Sequence, residues 1–214
     1  MKIADIRREY TLAGLRRADL ATNPITQFQK WFKQATTALT EKELDVNAAT
    51  LATADKNGKP SARIILLKGL DGRGFIFFTN YDSRKGRELA ENPNVALTFY
   101  WQQLERQVCI AGLIEKTSRE ESEKYFKSRP RGSQLAAWAS NQSDVVADRA
   151  ALEAKWNKME KKFPNEVPLP PNWGGYVLKP ERIEFWQGRP SRLHDRFCYA
   201  RQKNNSWKLE RLAP

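Results

Sequence analysis

The sequence has few of the residues that build disulfide frameworks or metal centres. It contains two cysteines and one histidine among 214 residues. Cys109 and Cys198 are far apart and do not follow metal-ligand spacing. These counts exclude a disulfide-stapled secreted domain and argue against a structural zinc site, so we expect no metal and a reducing compartment.

Long apolar runs are also missing. No stretch approaches the roughly 18 consecutive apolar residues that a membrane-spanning helix needs. Residues 1–5 do not form the apolar core of a signal peptide. We therefore expect a cytoplasmic protein that does not contact a membrane.

Several common signatures of nucleotide binding and catalysis do not occur. The sequence has no G-x-G-x-x-G, no P-loop lysine motif and no G-x-S-x-G. Rossmann and P-loop nucleotide sites and a hydrolase activity therefore lack support.

Positive charge, in contrast, is abundant. Lys and Arg number 37 against 25 Asp and Glu, which gives a formal net charge of +12. This balance is typical of proteins with anionic partners, such as nucleic acid, a membrane surface or phosphorylated small molecules. Charge alone does not distinguish these partners from a merely basic surface.

The residue pattern predicts a mainly β fold with peripheral helices, of the α+β class. Short strands are expected over 48–54, 62–67, 75–79, 95–101, 107–114, 176–178, 182–186, 196–199 and 207–212. Helices are expected from the Asn23-Pro24 cap to about 39, and over 83–91, 118–130 and 144–163. Many short strands with few helices favour a β-barrel. Residues 1–22 are interpreted as a mobile basic segment and 23–214 as a single domain.

Two segments place cations where phosphate groups could bind. In a strand over 63–68, Arg63 shares one face with Ile65 and Leu67, and Lys68 lies on the other. Arg84 and Lys85 start a helix, where the helix dipole disfavours cations unless an anion binds there. Both segments also have a structural interpretation, in which the charged side chains only reach water.

Two further clusters combine cations with polar groups. Tyr125 and Arg129 are four residues apart on one helix face, and Ser133 is expected on the turn after Pro130, so the three side chains could clamp a phosphate. Arg192, His194 and Arg196 would point the same way if that segment is extended. An ordinary solvated helix end and a basic surface loop remain the alternatives.

Taken in order, these segments resemble the pyridoxine/pyridoxamine 5'-phosphate oxidase family. The resemblance runs from about Arg7 to Pro214, and the joint presence of its motifs is specific although each motif alone is weak. The motifs lie at 63–68, 83–85, 104–108, 128–131, 173–175, 183–188, 192–196 and 210–214.

The resemblance implies an FMN-binding split β-barrel. It implies a homodimer with FMN at the subunit interface, with a carboxyl-terminal dimerisation and substrate region inside the 23–214 domain. The implied reaction oxidises pyridoxamine and pyridoxine 5'-phosphates to pyridoxal 5'-phosphate with O₂, releasing H₂O₂, and ammonia from the amine.

The family's functional positions carry over onto this sequence. FMN contacts are implied for Arg63, Ile64, Ile65, Leu66, Leu67, Lys68, Phe78, Thr79, Arg84, Lys85, Gln107, Gln142, Ser143, Trp186 and Arg196. Substrate contacts are implied for Arg7, Arg8, Glu9, Tyr10, Lys68, Tyr125, Arg129, Ser133, Arg192, Leu193 and His194. Arg192 and His194 are the implied catalytic pair, which would orient the reacting amine or alcohol.

Three other functions remain open at this point. A different FMN split-barrel oxidoreductase, of the flavin reductase type, would lack the Tyr125, Arg129 and Ser133 clamp. A nucleic-acid-binding β-barrel is compatible with the charge and with aromatic residues such as Phe78 and Tyr100, which core packing also explains. A vitamer-binding carrier would keep the fold without turnover.

Overall fold

The structure is a computed structural model, and it describes residues 2–6, 8–39 and 45–214. The helices are α1 (Pro24–Ala38), α2 (Arg84–Glu91), α3 (Arg119–Ser128), α4 (Arg131–Ala139) and α5 (Arg149–Lys162). The strands are β1 (Ala48–Ala54), β2 (Pro60–Leu66), β3 (Gly69–Leu70), β4 (Phe75–Asn80), β5 (Asn94–Trp101), β6 (Arg106–Lys116), β7 (Trp173–Gln187), β8 (Asp195–Arg201) and β9 (Trp207–Leu212). None of these helices is long and apolar enough to cross a membrane.

The strands described form one antiparallel sheet in the order β2-β1-β5-β6-β7-β4-β3, to which β8 and β9 are added beside β7. Alternate side chains face the interior, so Leu51, Leu97, Ile110 and Ile183 form one cross-strand row that is 0% exposed. Helix α1 packs on this core, where Trp31 meets Phe185 edge to face. The predicted mainly β fold is confirmed.

Strand β7 corrects one part of the prediction. We expected two strands separated near Pro180, but residues 173–187 form one continuous strand. The register between β6 and β7 shifts between Ala111 and Gly112, and Pro180 pairs opposite Gly112 at this irregularity. Proline is tolerated at a bulge because a ladder hydrogen bond is already missing there. Gly112 is required as well, since a Cβ would lie 2.1 Å from the Lys179 carbonyl oxygen.

The helices after β6 differ from the prediction in a second way. Ser118 caps α3 as expected, accepting a hydrogen bond from the backbone N–H of Glu121 at 3.1 Å. Pro130 ends α3 but also precedes α4, so the expected turn is wrong and Ser133 lies in the first turn of α4. Helix α5 begins five residues later than predicted, at Arg149, and its N-cap is Asp148.

The segment before α1 rests on the end of the sheet. Leu15 is 5% exposed, and its backbone N–H donates to Asp195 Oδ2 at 3.0 Å. The N–H of Leu12 donates to Glu105 Oε2 at 3.1 Å. The mobility expected for residues 1–22 stays a prediction, because these contacts show only where the described part of the segment rests.

Candidate active site

The first cationic cluster is built around the start of α2. Ser83 caps the helix by accepting from the backbone N–H of Gly86 at 3.2 Å. Gly86 allows the helix to approach β4 closely, since a Cβ at this position would lie 2.1 Å from the carbonyl oxygen of Tyr81. This close approach fixes Arg84 and Lys85 beside the end of β4.

Lys85 does not extend into water, as the structural interpretation of this motif would require. It is 9% exposed, and its Nζ donates to Thr79 Oγ1 at 3.3 Å and to Gln142 Oε1 at 3.2 Å. Burial, together with the charge of Arg63, lowers the pKa of Lys85, while Glu88 opposes this shift. A buried cation whose partners are only neutral oxygens is suited to receive an anion.

The loop that supplies Gln142 also contacts the helix start. Ser143 Oγ accepts from the backbone N–H of Arg84 at 3.1 Å. Ser143 has a φ of 81°, in the left-handed region that costs a non-glycine residue energy and is concentrated at functional sites. The structure therefore brings together Thr79, Arg84, Lys85, Gln142 and Ser143, as the family motifs imply.

Arg63 joins this cluster from β2. Its guanidinium donates to the hydroxyls of Thr53 and Ser61, and its Nη2 lies 3.3 Å from Glu88 Oε2. The predicted alternation is present here, because Arg63 faces inward while Ile64 is 64% exposed on the outer face. Ile65 and Leu66 are half-buried, and Leu67 is buried.

Lys68 lies elsewhere. It is exposed, and it lines a cavity of about 600 Å³ between α1 and the sheet, together with Phe28, Phe32 and Leu70. The backbone N–H of Lys68 donates to the carbonyl oxygen of Ile76 at 2.8 Å, so Lys68 lies beside β4.

The clamp itself is assembled on a stack of aromatic rings. Tyr125 stacks on Phe78 with 3.9 Å between ring centroids, and Trp173 is nearly parallel to both. The Arg129 guanidinium lies 4.7 Å from the centroid of the Trp173 ring. Phe78, implied as a cofactor contact, therefore also positions Tyr125.

Arg129 has spare hydrogen-bonding capacity. Its Nη1 is buried and has no hydrogen-bond partner in the described part of the chain. Burial lowers the pKa of Arg129, but an arginine with a lowered pKa remains a cation at neutral pH. A buried cationic donor without a partner is costly, so the site favours an incoming anion.

A cavity of about 310 Å³ joins the two cationic groups. Its walls include Thr79 and Gln142 from the α2 cluster and Arg129 and Ser133 from the clamp. The space suits small phosphorylated groups. Thr79 and Arg129, which are 50 positions apart in the sequence, thus line the same cavity.

The remaining predicted residues lie on the outer face of the sheet. Tyr100, Gln107, Trp186 and Arg196 occupy one cross-strand row over β5 to β8. Arg196 Nε donates to Glu184 Oε1 at 2.7 Å, and this hydrogen bond raises the pKa of Arg196. This outward row carries a flat polar and aromatic surface.

His194 lies over this row. Its ring centroid is 4.7 Å from that of Trp186, and its Nδ1 accepts from the backbone N–H of Arg189 at 3.1 Å. Burial and the charges of Arg192 and Arg196 lower the pKa of His194. The neutral imidazole therefore carries its proton on Nε2, which is the nitrogen left to meet a ligand.

The expected extended conformation of residues 192–196 is wrong. Ser191 and Arg192 have φ values of 55° and 60°, within a short helical turn over Pro190–Arg192. Strand β8 begins only at Asp195, and Leu193 is 70% exposed. Proximity of Arg192 and Arg196 to His194 comes from this turn and not from strand alternation.

Three of the four amino-terminal candidates can be placed. Tyr10 packs edge-on against both Trp186 and His194, at 5.5 Å between centroids in each case. Arg8 lies 3.6 Å from Glu105, and Glu9 accepts from the backbone N–H of Ser191 at 3.4 Å. Arg7 lies outside the described residues.

Within the described residues, the two halves of the predicted site lie on different faces of the sheet. Arg63 belongs to the inward row with Leu51, whereas Gln107, Trp186 and Arg196 belong to an outward row. Gly174, which pairs with Thr79, is twelve residues from Trp186 along β7, a separation of up to about 40 Å for an extended strand.

Sequence reasoning missed Glu88, Thr53 and Ser61. Glu88 is 6% exposed and accepts hydrogen bonds from both hydroxyls and from Arg63 and Arg84. Burial alone would raise its pKa, but these hydrogen bonds outweigh burial and lower the pKa of Glu88 to about 2. The four-residue spacing of Arg84 and Glu88 on a helix was the one available signal.

Comparison with known proteins agrees with this geometry. The family model described as pyridoxamine 5'-phosphate oxidase matches residues 35–163. A second model, described as the pyridoxine 5'-phosphate oxidase C-terminal dimerisation region, matches residues 173–214. Together these two models span both halves of the candidate site.

Individual relatives cover almost the whole chain. A pyridoxine/pyridoxamine 5'-phosphate oxidase of Burkholderia mallei (strain SAVP1) is 57% identical over 99% of both chains. The crystal structure of PhzG from Burkholderia lata 383, solved with tetrahydrophenazine-1-carboxylic acid, is 35% identical, covers 94% of this chain and 98% of its own, and has a TM-score of 0.86.

A more distant structure shares the fold alone. A pyridoxamine 5'-phosphate oxidase-related, FMN binding protein from Nostoc punctiforme is 17% identical, covers 91% of this chain and all of its own, and has a TM-score of 0.71. The resemblance inferred from the motifs is confirmed, and so is the split-barrel fold. The chain belongs to the pyridoxine/pyridoxamine 5'-phosphate oxidase family.

Proposed function

We propose that this protein oxidises pyridoxamine 5'-phosphate and pyridoxine 5'-phosphate to pyridoxal 5'-phosphate, with FMN as cofactor and O₂ as acceptor. The observation that carries the proposal is the cavity between two cationic groups, one around Lys85 and one around Arg129. Two adjacent anion sites suit a phosphorylated cofactor and a phosphorylated substrate. H₂O₂ is the second product, and the amine substrate also releases ammonia.

The residues around α2 fit the phosphate of FMN. Arg63, Arg84 and Lys85 supply positive charge, and Thr79, Gln142 and Ser143 supply neutral polar groups. The exposed edge of residues 64–68 would lie along the flavin ring, with Phe78 at the boundary to the substrate. Bound FMN supplies the hydride acceptor.

The aromatic stack fits the substrate phosphate. Arg129 Nη1 is buried without a partner in the described residues, and Ser133 lines the same cavity as Arg129. Stacking on Trp173 and Phe78 holds Arg129 and Tyr125 in place before substrate binds, which lowers the cost of ordering them. Lys68, beside β4, would also contact this phosphate.

A second copy of the chain would complete the site. The outer face carries small residues in β1, β5 and β6, including Ala52, Ala96 and Ala111, and an exposed Ile64 and Tyr100 that are 64% and 51% accessible. Pairing two such faces would bring Gln107, Trp186 and Arg196 of one chain to the phosphate cradle of the other.

His194 and Arg192 would orient the reacting group. The Nε2–H of neutral His194 can donate to the substrate oxygen, and the Arg192 cation can fix the ring on the same side. Tyr10, edge-on to His194 and Trp186, would shield this position from water, with Arg8, Glu9 and Leu193 at its rim. None of these groups is a strong base, so positioning is the expected contribution of the protein.

The test is an absorbance spectrum of the purified protein, followed by addition of pyridoxamine 5'-phosphate in air. A flavin band with formation of pyridoxal 5'-phosphate and H₂O₂ supports the proposal. A flavin band without turnover would indicate another substrate, and NADPH and tetrahydrophenazine-1-carboxylic acid should then be tried, the latter because a 35% identical relative was solved with it. Absence of flavin binding even with added FMN would refute the proposal.

Sharing of each site between chains can be tested by subunit mixing. Arg129→Met and His194→Gln damage the two halves separately, so each homodimer should be weakly active. A mixed dimer with two-fold symmetry would contain one doubly damaged and one intact site, and random exchange should restore about a quarter of wild-type activity. No recovery after verified exchange would show that each site lies within one chain.

A further inference from the structure

Glu88 is a buried acid among the cations of the proposed cofactor site. It lies on the inner side of α2, with its side chain 8% exposed. Ser61 Oγ donates to Glu88 Oε2 at 2.6 Å, and Thr53 Oγ1 donates to the same oxygen. Arg84 Nε donates to the other oxygen, Oε1, at 2.9 Å.

The contacts form a network with a fixed direction. Arg63 donates through its two terminal nitrogens to the hydroxyls of Thr53 and Ser61. Each hydroxyl has one proton, which it gives to Glu88, so its lone pairs are left for Arg63. The carboxylate thus fixes Arg63 directly and through two hydroxyls, and it fixes Arg84 from the same helix.

The charges of the cluster match a phosphate monoester. Arg63, Arg84 and Lys85 carry three positive charges and Glu88 carries one negative, so the cluster has a net charge of +2. A phosphate monoester carries about −1.5 to −2 at pH 7. Without Glu88, three cations would face one another before the ligand arrives.

Lys85 is the cation most affected by this balance. It is packed between Thr79 on β4, Gln142 in the loop after α4, Arg63 on β2 and Glu88 one turn along α2. Among the charged groups that shift its pKa, Arg63 acts against the protonated form and Glu88 in its favour. Loss of the carboxylate should therefore make Lys85 lose its proton at a lower pH.

We propose that Glu88 is a positioning residue for cofactor binding, which holds Arg63 and Arg84 in a preformed cradle beside Lys85 for the phosphate of FMN. The inference rests on the proposed function, because it assumes that the FMN phosphate binds at α2. Glu88 itself need not touch the ligand. Its effect should be specific for the phosphate and absent for the flavin ring.

The experiment compares FMN with riboflavin, which lacks the phosphate, by titrating each into flavin-free full-length protein and following flavin fluorescence. Glu88→Gln should weaken FMN binding about tenfold, the effect of one lost charge-assisted hydrogen bond, and leave riboflavin binding unchanged. The FMN affinity of the variant should also fall at a lower pH than that of the wild type.

Two further variants keep the test decisive. Glu91→Gln is the matched control, because Glu91 lies on the same helix as Glu88. Among its described contacts, Glu91 accepts only from the exposed backbone N–H of Lys56, at 3.3 Å. The FMN affinity of Glu91→Gln should therefore equal that of the wild type. Ser61→Ala removes one bridging hydroxyl without removing a charge. It should weaken FMN by a smaller factor and keep the wild-type pH profile, even if Glu88→Gln fails to fold.

The outcomes separate the two proposals. Unchanged or tighter FMN binding in Glu88→Gln, or equal loss of FMN and riboflavin, would overturn the role of Glu88. If Glu88→Gln does not fold, an unchanged FMN affinity in Ser61→Ala would overturn it. A wild-type protein that binds neither flavin would instead refute the proposed function.

Discussion

Replacing Arg129 with methionine should weaken the binding of phosphorylated substrate and also stabilise the substrate-free protein. Arg129 Nη1 is buried without a hydrogen-bond partner in the described chain, a condition that costs about 1–3 kcal/mol. The guanidinium recovers about 0.5–1 kcal/mol from its position 4.7 Å from the Trp173 ring. Methionine keeps an apolar stem against Trp173 and removes the unpaired charge.

The expected sizes follow from these terms. A net gain of about 1 kcal/mol raises the melting temperature by about 2–4 °C for a chain of this length. Loss of the charge-assisted hydrogen bonds to a substrate phosphate costs about 1.5–3 kcal/mol, which corresponds to a KM increase of roughly 10- to 150-fold. Thermal unfolding without substrate and steady-state kinetics with pyridoxamine 5'-phosphate measure both effects.

Arg131 provides the matched control. Its guanidinium already donates to the backbone carbonyls of Phe163 and Asn165, so it has no unmet demand for an anion. Arg131→Met should lower the melting temperature or leave it unchanged, without changing KM. A destabilised Arg129→Met variant with wild-type KM would refute the reasoning, because Arg129 would then be a structural residue.

Three other predictions follow from the same geometry. Gly86→Ala places a Cβ 2.1 Å from the Tyr81 carbonyl oxygen and should destabilise the protein by about 1–3 kcal/mol, measured by urea unfolding. Gly72→Ala is the control, because a Cβ at Gly72 has no neighbouring atom within 4 Å, so this variant should keep the wild-type stability. His194→Gln should reduce kcat by a larger factor than it reduces the amount of FMN that the protein retains. Burial and two arginines lower the pKa of His194, so wild-type kcat/KM should decline only when the pH falls below the usual histidine pKa range. The variant should lack this decline. Folding lowers the pKa of Glu88 from 4.5 to about 2, which should contribute on the order of 3 kcal/mol to the free energy of unfolding. This contribution should be complete above pH 4.5 and should disappear as the pH falls toward 2. The free energy of unfolding of Glu88→Gln should not show this pH-dependent decrease.

Local patterns predicted most elements of the fold. The Asn23-Pro24 cap and the helix expected from residue 118 correspond to the observed starts of α1 and α3. The errors arose where one residue has two structural meanings. Pro130 ends α3 and also precedes α4. Pro180 lies between the predicted strands 176–178 and 182–186, at the irregularity between β6 and β7.

The candidate site was less predictable than the fold. Sequence spacing predicted Tyr125 and Arg129 on one helix face, but α3 ends at Ser128 and Arg129 is its extended C-cap residue. The two side chains are held instead by Phe78 on β4 and Trp173 on β7. The conformation of Arg192 depends on a φ of 60°, which no propensity favours for arginine. Such strain is held by the surrounding contacts, so it is decided by tertiary structure.

The proposed division of the site between two faces has the same origin. Because side chains alternate between the two faces of a strand, Arg63 on β2 faces inward and Trp186 on β7 faces outward. Turning either side chain to the other face would require a register shift, which would expose the buried rows of the same strand. In the proposed dimer, the outer surface that completes the cationic cradle belongs to another chain. Every copy of the chain carries both the cationic cradle and the outer face. A two-fold dimer therefore forms two equivalent sites, each from the cradle of one chain and the outer face of the other.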